Sequence, residues 1–120
     1  MNSLLLVITS DSECRLQMEA IAAEELIECY FASHGDHLSD LAKRLNPFML
    51  FVDFTSEEPD WILKHLSEIK AKHHNFPIVG MVSGDEEADQ VRLQKAGCEQ
   101  VLTKDVFTSK IRSLILRYLR

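Results

Sequence analysis

Five short apolar runs, separated by segments of helical period, leave this chain few ways to fold. Residues 4–8 read Leu-Leu-Leu-Val-Ile, residues 48–52 read Phe-Met-Leu-Phe-Val and residues 78–82 read Ile-Val-Gly-Met-Val. A run with no polar position has no face to show to water, so each reads as a strand covered on both sides. Residues 27–32, with Cys29 and Tyr30 inside, and the pair Val101-Leu102 read as two more strands. Between the strands the period changes. Leu16, Ala20 and Ala23 mark a helix over 12–23, and Leu38, Leu41, Ala42 and Leu45 mark one over 36–45. Ile62, Leu66 and Ile69 form the apolar face of a third helix, which starts near Pro59. Residues 85–96 read as a fourth, and Phe107, Ile111, Leu114, Ile115 and Tyr118 stripe a fifth. Strand and helix thus alternate throughout. That order predicts an α/β three-layer sandwich with a central five-stranded parallel sheet.

The punctuation agrees. Asp11 or Ser12 is placed to cap the first helix. Asn46-Pro47 stops the second, because the residue before proline is pushed out of the helical region. Pro59 suits a first helical turn, and Gly97 suits the position just past a last one. No repeat, low-complexity stretch or linker interrupts the pattern, so residues 1–120 read as one domain.

Composition narrows the function classes. Apolar residues make up 46% of the chain, enough for one buried core. No apolar run approaches the roughly 18–20 residues of a membrane span, and Met1-Asn2-Ser3 offers no basic start for a signal peptide. The three cysteines, Cys14, Cys29 and Cys98, are odd in number and far apart. Neither a disulfide framework nor a zinc site is expected of them, and a reducing cytoplasm is the simplest setting. A net charge of -6 speaks against direct binding to nucleic acid. His34 and His37, and the pair His73-His74, fall off the strand ends and read as surface histidines.

In an open parallel sheet, functional groups gather beyond the carboxyl ends of the strands. The first strand ends in Thr9-Ser10-Asp11, the third in Asp53, the fourth in Ser83-Gly84 and the fifth in Thr103-Lys104. Two carboxylates, several hydroxyls and one ammonium therefore meet at one edge. Carboxylates suit a hard cation, while hydroxyls and an ammonium suit phosphate oxygens. Each residue also has a plainer reading. Asp53 could open a turn, Asp11 could cap a helix, Ser83 could cap the next, and Lys104 could be a solvated surface lysine.

Asp53 after Met49-Leu50-Phe51-Val52, Ser83 with Gly84, and Lys104 in Gly97-Cys98-Glu99-Gln100-Val101-Leu102-Thr103-Lys104 together resemble the receiver domain of two-component response regulators. The resemblance covers the whole chain and implies the flavodoxin-like (βα)5 fold. It implies that Asp53 is the phosphoacceptor, that Ser83 and Lys104 meet the phosphoryl group, and that Asp11 and Asp53 hold Mg²⁺. It further implies a histidine kinase or phosphotransfer protein as donor, and an output domain or downstream protein as receiver of the signal. The face made by the fourth helix, fifth strand and fifth helix would switch, and could form a homodimer. This is signalling rather than enzymatic turnover.

The chain departs from the family at defined places. Thr9 and Ser10 stand where an acid pair is usual, Val101 stands for a strand-five aromatic, and Asp105 stands for proline. A Mg²⁺ ion would bind weakly here. These departures open a second reading, a pseudo-receiver that works as a phosphorylation-independent interaction module. A third, a flavin or nucleotide binder, is disfavoured because Thr9-Ser10-Asp11-Ser12 contains no glycine to let the backbone wrap a phosphate.

Overall fold

The computed structural model describes residues 3–33, 36–84 and 87–119. Strands β1 (Leu4–Ile8), β2 (Glu28–Ala32), β3 (Met49–Asp53), β4 (Ile78–Val82) and β5 (Gln100–Thr103) alternate with helices α1 (Ser12–Glu25), α2 (Leu38–Leu45), α3 (Pro59–Lys72), α4 (Glu87–Ala96) and α5 (Lys104–Leu119). All strand pairs are parallel, in the order β2-β1-β3-β4-β5. β1, β3 and β4 therefore form the middle of the sheet, which is why their sequences carry no polar side.

Period-two alternation sorts the core into two halves. Leu5, Val7, Met49, Phe51, Val79 and Met81 point to one face and pack with residues of α1 and α5. Leu6, Ile8, Leu50, Val52, Ile62, Leu66 and Leu93 form the other half, under α2, α3 and α4. Every residue of β3 is buried, including the acid at its end.

The sequence boundaries shift at several ends. β2 begins at Glu28 and α2 at Leu38, β3 runs on through Asp53, and β5 spans Gln100–Thr103. The expected start of the fourth helix at Asp85 lies outside the described residues, as does His34. The face of α1 is a correction. Leu16 is 67% exposed, and Ala20 and Ala23 also face outward. The buried stripe is Cys14, Met18, Ile21 and Ala22. Both stripes have helical spacing, and the sheet selects the one that removes more apolar surface from water. Met18 and Ile21 outweigh two alanines in that respect.

Long-range polar contacts pin the layers together. Arg112 of α5 forks to Glu25 at 2.6 Å and to Glu24 at 2.7 Å at the end of α1. At the amino edge of the sheet, Lys70 Nζ donates to the carbonyls of His74 at 3.1 Å and Phe76 at 2.8 Å. It also lies 3.9 Å from Glu99, whose other oxygen accepts from Tyr118 at 3.1 Å. The Lys70 stem crosses directly over Gly97. Gly97 has φ +116°, and a Cβ there would lie 2.1 Å from Lys70 Cγ.

Two substitutions test this packing. Gly97→Ala should cost roughly 1–2 kcal/mol from the left-handed backbone alone, and more once Lys70 is pushed off its carbonyls. Val52→Ala should cost about 1–3 kcal/mol through lost contact and a cavity. Urea unfolding midpoints with an unchanged slope check both. A loss confined to about 1–2 kcal/mol would mean that Lys70 yields freely, and a midpoint equal to wild type would contradict the backbone cost as well.

Candidate functional site

Asp53 ends the central strand, beside Met81 of β4, and is 0% exposed. A buried carboxylate must find donors within the protein. Thr9, the residue after β1, supplies one. Its hydroxyl donates to Asp53 Oδ2 at 2.7 Å. Thr55 supplies two more, as its backbone N–H donates to Asp53 Oδ1 at 3.0 Å and its hydroxyl to the same atom at 2.6 Å. The backbone contact is an Asx turn, in which an Asp side chain bonds the backbone two residues on. The plainer reading of Asp53, an acid opening a turn, is thus realised in the structure.

The hydroxyls continue outward. Thr9 Oγ1 accepts the N–H of Asp11 at 3.1 Å, and Ser56 Oγ accepts the N–H of Ser10 at 2.9 Å. Thr9 and Ser56 hydroxyls lie 3.4 Å apart. The loop after β1 and the loop after β3 are therefore joined by hydroxyl groups around one carboxylate.

The remaining candidates lie nearby but apart. Asp11 is the N-cap of α1, accepting from the N–H groups of Glu13 and Cys14, each at 3.4 Å. Lys104 is the first residue of α5 and is exposed. Asp11 and Lys104 line one cleft of about 110 Å³ with Cys14, Met81 and Phe107 at its walls, and Asp53 is not among the lining residues. Among the described residues no ion pair joins Lys104 to Asp53 or Asp11. Ser83 follows β4 and is exposed, and Gly84 beside it has φ +98°. Val101, on β5, is partly buried.

Sequence reasoning missed Thr55 and Ser56. The Asp-x-Thr spacing was the available signal for Thr55. Ser56 gave none, because its partner, the Ser10 N–H, is distant in the chain.

As a cation site this donor set falls short. Mg²⁺ takes oxygen ligands at near-ideal octahedral positions and leans on one or two carboxylates. Here both Asp53 oxygens hold donors, and Asp11 is engaged at the helix start. No group of three or more His, Cys, Asp or Glu side chains able to hold a metal occurs among the described residues.

No protein-family model matches the chain, and no curated protein matches it by sequence. Solved structures do. NtrX from Brucella abortus superposes with a TM-score of 0.78 at 21% identity, over 99% of this chain and 27% of that one. The chain thus spans about a quarter of NtrX. The receiver domain of nitrogen regulatory protein C superposes with a TM-score of 0.79 at 21% identity, covering 98% of this chain and 94% of that one. The receiver domain of a sensor histidine kinase from Pseudomonas aeruginosa PAO1, with a magnesium ion coordinated in its active-site cleft, gives 0.73 at 14% identity, over 99% and 98% of the two chains. The chain has the flavodoxin-like fold of response-regulator receiver domains.

The cysteines carry a pH dependence. All three are free. Burial pushes Cys98 up from 9.0 to about 12, with Lys70 pulling the other way. Burial likewise pushes Cys14 up to about 11, against the opposing hydrogen bond with Thr9. A raised folded value means that the unfolded chain ionises first. The stabilising effect is whole below pH 9.0 and drains away as pH rises towards about 12. Cys98→Ala should remove part of that alkaline loss, as read by urea unfolding stepped across the window. Parallel wild-type and variant curves would contradict it.

Proposed function

We propose that the chain is a receiver-type signalling module that acts by protein contact, with Asp53 a fixed structural centre rather than a phosphoacceptor. One observation carries this: Asp53 is wholly buried and both of its oxygens accept hydrogen bonds from its own chain. Attack on a phosphoryl group needs an oxygen lone pair facing the donor in line, with cationic groups placed to take the developing charge. Three of the roughly four Asp53 acceptor sites face Thr9 and Thr55 instead, and no ion pair joins Lys104 to Asp53 among the described residues. The partner is a protein, and α4, β5 and α5 offer a contiguous face for it. Among the described residues no helix is long and apolar enough to cross a membrane.

The alternative reading is the phosphotransfer switch. In it a histidine kinase or phosphotransfer protein donates to Asp53 with Mg²⁺, and Ser83 and Lys104 meet the added charge. The α4–β5–α5 face then shifts towards an output domain or a second copy. Its support is positional, since Asp53, Ser83 and Lys104 all lie at the carboxyl edge of the sheet.

A small-molecule phosphodonor with Mg²⁺, followed by intact mass, separates the two. The interaction module gains no mass. A single phosphoryl adduct on the wild type, absent from Asp53→Ala, would overturn it in favour of the switch, because the carboxylate is the nucleophile and no neighbour replaces it.

A further inference from the structure

We infer that Thr9 occupies the place of a cation at Asp53, so that the site is complete without metal and Mg²⁺ has no stable position in it. This rests on the reading of Asp53 as a fixed centre and extends it to a named residue. β1 and β3 are neighbours in register, with Ile8 beside Val52. The next residues, Thr9 and Asp53, therefore face each other across adjoining strand ends. Two acids so placed would repel unless a cation lay between them. A hydroxyl at position 9 removes that repulsion and turns it into a donated hydrogen bond of 2.7 Å.

Counting lone pairs supports the same conclusion. A carboxylate offers about four acceptor sites. The Thr9 hydroxyl, the Thr55 hydroxyl and the Thr55 N–H fill three of those on Asp53. Thr9 is also committed in the other sense, because its oxygen accepts the Asp11 N–H. An ion at Asp53 would be left the one acceptor site still open, on Oδ2 beside the 2.7 Å bond to Thr9, and would have to find its remaining charge balance elsewhere. Asp11 could supply that balance only by leaving the start of α1. Thr9 is thus a positioning residue. It does for the two loops what an ion between two acids would do.

The test is a Mg²⁺ titration of the full chain, followed by backbone amide NMR and by thermal melting. Wild type should show no saturable shifts at Thr9, Asp53 or Thr55, and no change in melting temperature, up to millimolar Mg²⁺. Thr9→Asp should melt lower without metal and recover with Mg²⁺, with saturable shifts at Asp53 in the millimolar range where wild type shows none. Chelation should reverse the recovery. Thr9→Val, which lacks the donor, should melt lower and gain nothing from Mg²⁺. A merely structural Thr9 would not give Thr9→Asp its metal response. Saturable Mg²⁺ binding by the wild type at Asp53 overturns the inference even if Thr9→Asp does not fold. A folded Thr9→Asp indifferent to Mg²⁺ overturns it too. Wild type that binds Mg²⁺ yet takes up no phosphoryl group sinks this inference alone, whereas a phosphorylated wild type sinks the reading beneath it.

Discussion

A charge at the end of a strand covered on both faces has no water to turn to. Asp53 is in that position, and the geometry around it follows from the need to satisfy it. β3 lies between β1 and β4 with every side chain buried. Its final carboxylate can be satisfied only by groups that neighbouring loops bring to the same edge. Thr9 arrives because β1 is in register with β3, and Thr55 arrives because the chain turns directly after the strand. Leaving a buried charge without partners would cost several kcal/mol. That cost makes the hydroxyl arrangement part of the fold as well as part of a site.

The opposite edge carries a separate set of constraints. There Lys70 closes the end of α3, crosses Gly97 and reaches Glu99, which Tyr118 also holds. None of these residues touches the Asp53 cluster. Stability at the amino edge and chemistry at the carboxyl edge are thus carried by different side chains. Substitutions at one edge should therefore leave the other nearly unaffected, as expected for sites with no shared partners.

Much of this was legible in the sequence. β1 and β4 fall at the boundaries their apolar runs mark, because an unbroken apolar run has only one way to sit in a covered sheet. Asp11 as a cap and Gly97 as a stop follow from local chemistry. The face of α1 did not follow, since Leu16, Ala20 and Ala23 share the helical period with the true stripe. Period alone cannot say which of two stripes meets the sheet. The site was half legible. Residues at strand ends could be placed on one edge by topology, but which of them bond could not. The Thr9 contact depends on strand register, and Ser56 depends on how two loops approach. Neither leaves a mark in the local sequence.

The sheet also has two open edges, and their composition bears on how copies behave in concentrated solution. β2 is only five residues long, begins with Glu28 and shows side chains to water at alternate positions. β5 is four residues long and is preceded by Glu99, which is already held by its own chain. Unpaired strand edges are templates for aggregation, and shortness and charge are the usual defences. With a net charge of -6, copies also repel one another at long range. Short edges and the net charge of the whole chain thus act in the same direction, against edge-to-edge pairing.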